Sequence, residues 1–269
     1  MIDTHVHLWQ LGHNGCSWPT PDLPPIYRDF TLDDLRPLAG VEGVERVIVV
    51  QSQESDADTS WLLSLADDPL IAGIVGWTDF LDPDAATAIG KLASNSRLRG
   101  LRPMVQDREA DWYDAPELDP AFAAMTTLDL VLDALVRPRH LPSLLRLAMR
   151  HPNLTVVIDH GAKAVPNDLG TWSEQMTLLA RLPNVSCKLS GLLTELPPGA
   201  PAAGVAPIVQ YLWNAFGAER LMWGSDWPVL LLAGEYQGWL DQCLTLVGTA
   251  HHDAVFDSNA RRIYGIEAS

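Results

Sequence analysis

The sequence has 269 residues, of which 47% are hydrophobic and 19% are charged, so it can bury one large core and is not that of a disordered protein. Eighteen Lys and Arg residues against 34 Asp and Glu residues give a formal net charge of −16, which argues against binding to nucleic acid or anionic membrane through a basic surface. There is no apolar run of roughly 18 residues, no signal-peptide pattern and no disulfide framework among the three cysteines, so we expect a soluble cytoplasmic protein.

Short segments rich in Val, Ile and Leu recur along the chain, each followed by polar residues and a helix-like stretch. We predict strands over residues 2–8, 45–51, 71–77, 98–102, 129–135, 155–160, 184–189 and 220–226. Successive starts are 26 to 43 residues apart, about the length of a strand, a crossover helix and two loops. Eight such units predict a single α/β domain over residues 1–269, with the fold of a (β/α)8 TIM barrel.

The segments between the strands carry signals for the start of a helix. Thr31 precedes a run with an acidic residue, Asp34, at its third position, and Ser55 precedes a second run. Thr171 with Glu174 forms a capping-box pattern before a third run. These signals predict helices that begin after residues 31, 55 and 171.

A doubly wound open sheet is the alternative arrangement for alternating strands and helices. Neither G-x-G-x-x-G nor G-x-x-x-x-G-K-[ST] follows the first strand, so the nucleotide-binding signature of many such sheets is missing. Two Pro-rich segments, residues 10–30 and 194–206, follow strands and are longer than a barrel requires. Barrel active sites lie at the carboxyl ends of the strands, so these segments are candidate loops around a site.

Side chains that commonly bind metal ions stand at the ends of three predicted strands. His5 and His7 are two residues apart in an extended segment, so both imidazoles project from one face. His160 ends the sixth strand and Asp226 the eighth, which neighbours the first in a closed barrel. Three imidazoles and a carboxylate can therefore converge, and such a set suits a borderline divalent ion such as Zn²⁺.

Each of these residues also has an ordinary structural interpretation. One histidine of the H-x-H pair could cap a loop while the other bonds to a backbone carbonyl. Asp226 could be the N-cap residue of a following helix. His160 alone would usually be a hydrogen-bonded loop residue. Their common position at strand ends favours a site over these separate explanations.

The ordered motifs of the chain resemble those of the amidohydrolase superfamily. Three of them lie at the strand ends described above: D-T-H-V-H at residues 3–7, D-H-G at 159–161 and G-S-D-W-P at 224–228. Similar segments run nearly from end to end and include residues 100–103, 136–142, 185–191 and 259–265. The chain most resembles the sugar-lactonase branch, which includes fuconolactone, rhamnonolactone and sulfomuconolactone hydrolases. The resemblance implies a hydrolase that opens the lactone ring of a sugar acid, or of a similar small organic acid, with an activated water.

The chain also departs from part of the superfamily. Members that bind two metal ions carry a bridging Lys or Glu at the fourth strand end and a further His at the fifth. Here the fourth strand ends in G-L-R, with Arg102, and the fifth reads D-A-L-V at residues 133–136. Arginine neither becomes carbamylated nor binds a cation, so we expect one divalent cation, with Zn²⁺ as the first candidate, or none.

The implied reaction suggests roles for the residues at the strand ends. Asp226 is the expected base that accepts a proton from water. His160, with the two histidines of the first strand, would polarise the lactone carbonyl or bind the metal ion that does so. Lys188 and Arg102 are the expected cations that face the substrate, although each could instead form a structural ion pair.

Three further residues are expected to contact the substrate. Gln51 ends the second strand and could bind a hydroxyl group or make a hydrogen bond in the core. Trp77 and Trp227 follow strands and could line a sugar cleft or close the barrel mouth. We expect a small-molecule lactone as the partner, with no nucleic acid and no membrane, and the sequence does not indicate an oligomeric state. The alternative function is a metal-dependent decarboxylase of the same superfamily, because that branch shares the H-x-H, His and Asp set.

Overall fold

Parallel strands alternate with helices along the computed structural model, which describes residues 1–166 and 168–267. The strands are β1 (Ile2–Val6), β2 (Arg46–Val50), β3 (Ile71–Gly76), β4 (Leu98–Leu101), β5 (Val131–Ala134), β6 (Val156–Ile158), β7 (Val185–Leu189) and β8 (Leu221–Trp223). The helices are α1 (Leu32–Val41), α2 (Asp56–Ser64), α3 (Ala85–Leu92), α4 (Asp119–Thr127), α5 (Leu141–Arg150), α6 (Gly170–Ala180), α7 (Ala206–Phe216), α8 (Tyr236–Val247) and α9 (Asn259–Ile263). The predicted domain, residues 1–269, includes residues 167, 268 and 269, which lie outside the described residues.

The eight strands form one sheet in chain order, each parallel to the next. β8 also returns to β1, because Val6 and Trp227 form an isolated parallel bridge. Two backbone hydrogen bonds cross the same seam, from His7 N to Trp227 O (2.7 Å) and from Asp226 N to His5 O (2.8 Å). The predicted (β/α)8 TIM barrel in a single domain is confirmed, and the open doubly wound sheet is excluded.

Each predicted strand overlaps an observed strand, and all except β7 end one to three residues earlier than predicted, which places two predicted site residues, His160 and Asp226, outside the strands that were to contain them. β6 ends before His160 and β8 ends before Asp226, because both residues have a positive φ, 54° and 60°. A positive φ turns the backbone out of the extended conformation. These two side chains therefore stand on tight turns at the rim of the barrel and not within the strands.

The apolar core occupies both faces of the sheet. Along β2, Val47 and Val49 belong to the large cluster shared with the helices, whereas Ile48 and Val50 belong to a smaller cluster. Successive side chains of a strand point to opposite faces, so the smaller cluster is the packed interior of the barrel. Tyr264, just after α9, completes this interior. The polar groups of the site stand above this apolar filling, at the carboxyl ends of the strands.

Two of the three predicted helix starts are confirmed. Ser55 precedes α2, and its hydroxyl accepts hydrogen bonds from the second and third amides of that helix. Thr31 precedes α1, and its amide donates to the Asp34 carboxylate at 2.9 Å. The prediction for Thr171 is wrong, because α6 begins at Gly170 and Thr171 therefore lies inside the helix. None of the helices in residues 1–166 and 168–267 has the length and apolarity that a bilayer crossing requires.

Asp58, in the first turn of α2, ties that helix to the loop after β2. Its carboxylate accepts hydrogen bonds from the amides of Ser52 (3.1 Å) and Gln53 (3.4 Å). Burial raises the pKa of Asp58 from 3.8 to about 6, although these bonds lower it. Because the pKa is higher in the folded state than in the unfolded state, protonation of Asp58 adds to the free energy of unfolding. This contribution is fully present below about pH 4 and is lost as the pH rises through about 6.

We expect Asp58→Asn, which keeps an acceptor oxygen and removes the ionisable group, to gain stability relative to the wild type as the pH rises. The free energy of unfolding, variant minus wild type, should increase by about 2 kcal/mol from pH 4 to pH 7 in urea denaturation at fixed ionic strength. Asp34→Asn is the matched control. Burial raises the pKa of Asp34, but hydrogen bonds from Thr31 and Arg28 outweigh it and lower the pKa, so the difference should change in the opposite direction. A flat or falling difference for Asp58→Asn would contradict the prediction.

Candidate active site

A cavity of about 690 Å³ opens at the carboxyl ends of the strands. Its wall includes His7, Arg102, His160 and Asp226, and the long loop after β1 contributes Trp18. Both its position and its size are typical of enzyme sites in this barrel architecture.

Four of the predicted site residues lie together here: His7, His160 and Asp226 on the cavity wall, and His5 fully buried beside them. The Nε2 atoms of His5 and His7 are 3.2 Å apart. Oδ1 of Asp226 lies 3.3 Å from Nε2 of His7, 3.7 Å from Nε2 of His5 and 3.9 Å from Nε2 of His160. The turns after β6 and β8 and the end of β1 therefore bring three imidazoles and one carboxylate together, although 219 residues separate His7 from Asp226.

The environment favours neutral imidazoles beside an ionised carboxylate. Burial lowers the pKa of His160 to about 4 and lowers the pKa of His5 well below its usual range, against the opposing effect of nearby carboxylates. Burial alone would raise the pKa of Asp226, but His160, His7 and His5 outweigh it and lower this pKa. Nδ1 of His7 donates to the carbonyl of Val50 at 2.8 Å, so its Nε2 carries the lone pair.

These donor atoms fit a divalent ion of the zinc type. His5, His7 and Asp226 offer ligand atoms that all lie within 4.8 Å of one another. The separations of 3.2 Å and 3.3 Å from His7 Nε2 to its two neighbours agree with the edge of about 3.3 Å expected for a tetrahedron with bonds of about 2.0–2.1 Å. Two neutral imidazoles and a carboxylate are also the donor types that zinc binds.

His160 stands on a left-handed turn. It and the next three residues, Gly161, Ala162 and Lys163, have φ values between 51° and 59°. Residues other than glycine rarely adopt this backbone conformation, and such strained residues are concentrated at functional sites. Nδ1 of His160 lies 2.9 Å from Oγ of Ser190, which fixes the orientation of the ring.

Asp3 connects the backbone of β1 to the turn that carries Asp226. Its buried carboxylate accepts hydrogen bonds from the amides of His5 (3.1 Å) and Ser225 (2.9 Å) and from the hydroxyl of Tyr236 (2.9 Å). Burial raises the pKa of Asp3 to about 6 despite these bonds. Asp3 is the first residue of the D-T-H-V-H motif, and its carboxylate joins β1 to the turn after β8.

Gly191 provides the space that His160 and Asp226 occupy. Its φ is 58°, and a Cβ at this position would lie 2.5 Å from Nδ1 of His160 and 3.0 Å from Oδ2 of Asp226. A side chain at residue 191 would therefore be strained and would also push both site residues aside.

We expect Gly191→Ala to reduce kcat/KM by about 10–100-fold and to lower the free energy of unfolding by about 1–3 kcal/mol. Gly199→Ala is the matched control, because Gly199 also has a positive φ (76°) but a Cβ there would meet no atom within 4 Å. The control should lose only the stability that a positive φ costs an alanine, and its kcat/KM should be unchanged. Steady-state kinetics and thermal unfolding of both variants measure the difference, and wild-type activity in Gly191→Ala would contradict the expectation.

Lys188 does not lie on the cavity wall, and its predicted contact with substrate is corrected. The side chain is fully buried behind His5, and its Nζ lies 2.5 Å from Oδ2 of Asp133, 3.1 Å from Oδ1 of Asp159 and 3.2 Å from Nδ1 of His5. It therefore pairs with two buried carboxylates and supports a site imidazole from below. Asp133 was missed as a partner, although a charged residue inside an apolar strand is a signal of such a pair.

Arg102 lies on the cavity wall but is only 2% exposed. Its NH1 atom is 3.4 Å from Nε2 of His5 and 3.5 Å from Oδ2 of Asp159, and its NH2 atom donates to the carbonyl of Gln51. The guanidinium is thus fixed from several sides and reaches the cavity wall with little exposed surface.

Two of the three remaining predicted contacts, Gln51 and Trp227, have structural roles. Gln51 is buried and donates to the carbonyl of Arg102 at 2.9 Å, which is the core hydrogen bond considered above. Trp227 is buried against Phe30, with ring centroids 5.2 Å apart, and helps to close the barrel mouth. Trp77 lines a small recess beside the main cavity. None of the three belongs to the wall of the main cavity; the contacts of the buried Gln51 and Trp227 are corrected, and the contact of Trp77 stays a prediction.

Several polar residues of the wall were not predicted. Gln53 holds the loop after β1, since its side chain accepts from the amide of Ser17 (3.0 Å) and donates to the carbonyl of Trp18 (2.7 Å). Arg108 donates to both carboxylate oxygens of Glu54, at 2.8 Å and 3.0 Å. Of the two long loops, residues 10–30 reach the cavity. Residues 194–206 do not line it, but their Glu195 forms an ion pair with the wall residue Lys163. The Q-S-Q-E run at residues 51–54 is the signal that could have indicated part of this wall.

Known proteins are similar to this chain over nearly its whole length. The amidohydrolase family model matches residues 2–266. An L-fucono-1,5-lactonase from Burkholderia ambifaria is 46% identical, and the alignment covers 99% of this chain and 96% of that protein. The crystal structure of an amidohydrolase from Burkholderia multivorans with bound zinc is 33% identical, with a TM-score of 0.92 and 99% of both chains covered. A 5-carboxyvanillate decarboxylase from Sphingomonas paucimobilis is 16% identical, with a TM-score of 0.70 and 99% of both chains covered, which shows a shared fold alone.

Proposed function

The chain belongs to the amidohydrolase family, and from this premise we propose that it hydrolyses the lactone of a sugar acid, with L-fucono-1,5-lactone as the first candidate. The observation that carries the proposal is the carboxylate of Asp226 among three imidazoles at a cavity of about 690 Å³. The decarboxylase alternative has weaker support, because its relatives share only the fold.

Asp226 is proposed to hold and activate the attacking water. Its low pKa keeps it ionised at neutral pH, so Oδ1 can accept a hydrogen bond from a water placed beside it. As the water oxygen bonds to the carbonyl carbon, its proton moves to Asp226. Asp226 is thus the ionised acceptor that faces the water, among imidazoles that burial keeps neutral.

Two donors are positioned to stabilise the carbonyl oxygen as it gains negative charge. When the hydroxyl of Ser190 donates to Nδ1 of His160, Nε2 of that ring carries its hydrogen on the side of Asp226. The guanidinium of Arg102 supplies a second donor on the cavity wall. Such donors contribute about 10²–10³ in rate each at other acyl-transfer sites.

Ring opening completes the reaction. The bond between the carbonyl carbon and the ring oxygen breaks, and the proton on Asp226 passes to that oxygen, which becomes a hydroxyl group. The product is a sugar acid, which releases a proton to solvent at neutral pH. Its carboxylate then lies beside the ionised Asp226, and the repulsion between the two favours product release.

Metal binding remains part of the proposal. His5, His7 and Asp226, with His160 nearby, would hold one divalent ion, with Zn²⁺ as the first candidate. A bound ion of this type supplies Lewis acidity to a carbonyl oxygen and lowers the pKa of water. The proton transfers described for Asp226 and the donor roles of His160 and Arg102 are properties of the chain itself.

The wall of the cavity suits a molecule rich in hydroxyl groups. Glu54 and Arg108 add charged side chains to the wall, where they pair with each other, and Lys163 on the same wall pairs with Glu195. We therefore propose a role in carbohydrate metabolism. The expectations of a cytoplasmic location and of no nucleic-acid partner stay predictions.

A panel of aldono-1,5- and 1,4-lactones in a weakly buffered pH-indicator assay tests the function. We expect saturable acid release above the spontaneous rate, with kcat/KM of at least about 10⁴ M⁻¹s⁻¹ for the best lactone. The same assay after dialysis against a chelator, and again after addition of Zn²⁺, shows whether an ion is required. Release of CO₂ from aromatic carboxylic acids, with no acid release from any lactone, would favour the decarboxylase instead.

A further inference from the structure

Residues 14–18 of the long loop after β1 form part of the cavity wall and pack on the segment that follows β2. The hydroxyl of Ser55 donates to the carbonyl of Asn14 at 3.3 Å. Gly15 lies so close to the same hydroxyl that a Cβ at residue 15 would overlap it. Gly15 and Trp18 both line the cavity, so contacts with the segment after β2 set the position of this part of the wall.

The side-chain amide of Gln53 is fully used in holding this loop. Its Oε1 atom accepts hydrogen bonds from the amides of Ser17 (3.0 Å) and Trp18 (3.3 Å). Its Nε2 atom donates to the carbonyl of Trp18 (2.7 Å) and to Oγ of Ser52 (3.0 Å). A primary amide has two donor hydrogens and two acceptor lone pairs, so none is left for a bound molecule. Gln53 therefore lies at the cavity as a support for its neighbours and not as a substrate ligand.

Gln53 is itself fixed from the body of the barrel. The carboxylate of Asp58, in the first turn of α2, accepts hydrogen bonds from the backbone amides of Ser52 and Gln53, at 3.1 Å and 3.4 Å. Contacts thus run from α2 through Gln53 to Trp18, across 35 residues of sequence. The position of Trp18 is consequently set by a barrel helix as well as by the loop that contains it.

Trp18 gives the cavity a rigid apolar surface. Among the residues that the structure describes, it is the one Trp, Tyr or Phe on the cavity wall. Its indole also packs against the buried ring of Trp9, with centroids 5.5 Å apart and an interplanar angle of 69°. The C–H groups of a sugar ring are apolar, so they gain from contact with a large aromatic surface that is already held in place.

We propose that Gln53 is a positioning residue that fixes Trp18 as the apolar surface on which the ring of a sugar lactone packs. Trp18 contacts the substrate directly, Gln53 acts through Trp18, and bond making and breaking stay with Asp226 and its neighbours. The contact is the same in the bound lactone and in the transition state, so its loss raises KM and leaves kcat nearly unchanged. The inference rests on the proposed function for the identity of the substrate, whereas the position of the loop can be tested without one.

Amide hydrogen exchange tests the position of the loop. We expect the amides of Ser17 and Trp18 to exchange at least about 10-fold faster in Gln53→Ala than in the wild type, because both lose their acceptor. Gln242→Ala is the matched control. Gln242 also donates to the carbonyl of a loop residue, Ala202 at 2.9 Å, but residues 194–206 do not line the cavity. This control should leave the exchange of Ser17 and Trp18 unchanged.

Steady-state kinetics with L-fucono-1,5-lactone tests the contact with substrate. We expect Trp18→Ala to raise KM by about 5–20-fold, with kcat changed by less than about 3-fold. Gln53→Ala should raise KM by about 3–10-fold with the same small change in kcat. In the double variant, Gln53→Ala should add nothing to the effect of Trp18→Ala, because it acts only through that residue. Gln242→Ala should keep the wild-type KM and kcat.

Three results would overturn the proposal. The first is a wild-type KM in Trp18→Ala, and the second is an additive rise in KM in the double variant. The third is unchanged exchange of Ser17 and Trp18 in Gln53→Ala, which removes the positioning role while lactone hydrolysis stands. Absence of lactone hydrolysis in the wild type instead overturns the proposed function. If Gln53→Ala does not fold, Gln53→Met takes its place, because methionine fills similar space without the hydrogen bonds of the amide.

Discussion

Asp226→Asn is expected to lose about 10²–10⁴-fold in kcat/KM for a sugar lactone while the barrel keeps its fold. The amide of asparagine cannot accept the proton of the attacking water, whereas the donors on His160 and Arg102 stay in place. Asparagine also tolerates the positive φ of residue 226 (60°), so the turn after β8 should be preserved.

Asp129→Asn is the matched control for this variant. Asp129 is an exposed aspartate that also has a positive φ (52°), and it lies in the turn between α4 and β5, outside the cavity wall. Its replacement should leave kcat/KM unchanged. Steady-state acid release, with thermal unfolding to verify the fold, measures both variants. An Asp226→Asn protein with more than about a tenth of wild-type kcat/KM would show that another group accepts the proton.

Lys188→Met is expected to lower the free energy of unfolding by about 3–5 kcal/mol. The substitution leaves Asp133 and Asp159 buried with one cation fewer, and methionine offers no donor to either carboxylate or to His5. Urea denaturation at pH 7 gives the change directly, and a chain that no longer folds agrees with the expectation.

Lys163→Met is the control for Lys188→Met, because it removes an ion pair that is not fully buried. Lys163 is 2.9 Å from Glu195, but both side chains are partly exposed, so solvent screens the pair. We expect a loss of about 0–1 kcal/mol for this variant. Equal losses for the two lysines would mean that the buried pairing of Lys188 contributes no more than a surface contact does.

The fold could be predicted because the strand and helix signals repeat at the spacing of one β-α unit. The convergence of His5, His7, His160 and Asp226 could be predicted for the same reason, since parallel strands bring their carboxyl ends to one rim. The ends of β6 and β8 could not, because the positive φ of His160 and Asp226 depends on the turns that aim their side chains at the cavity.

The environment of Lys188 could not be predicted from the sequence pattern. Alternation along β7 indicates the face to which Lys188 points, but not how far below the rim it lies. That depth decides whether the ammonium meets substrate or the carboxylates of Asp133, in β5, and Asp159, directly after β6. Gln53, Glu54 and Arg108 were missed for a different reason: they lie in loops, which have no periodicity from which a facing direction can be predicted.

A crystal structure of the chain with a hydrolysis-resistant lactam analogue of L-fucono-1,5-lactone would test most directly whether these residues form the lactone site. We predict that the ring carbonyl carbon faces Asp226 and that the carbonyl oxygen lies within about 3.5 Å of a donor on His160 or Arg102, or on a bound ion. A lactam bound with its carbonyl out of reach of these groups, or bound outside the cavity, would contradict the assignment.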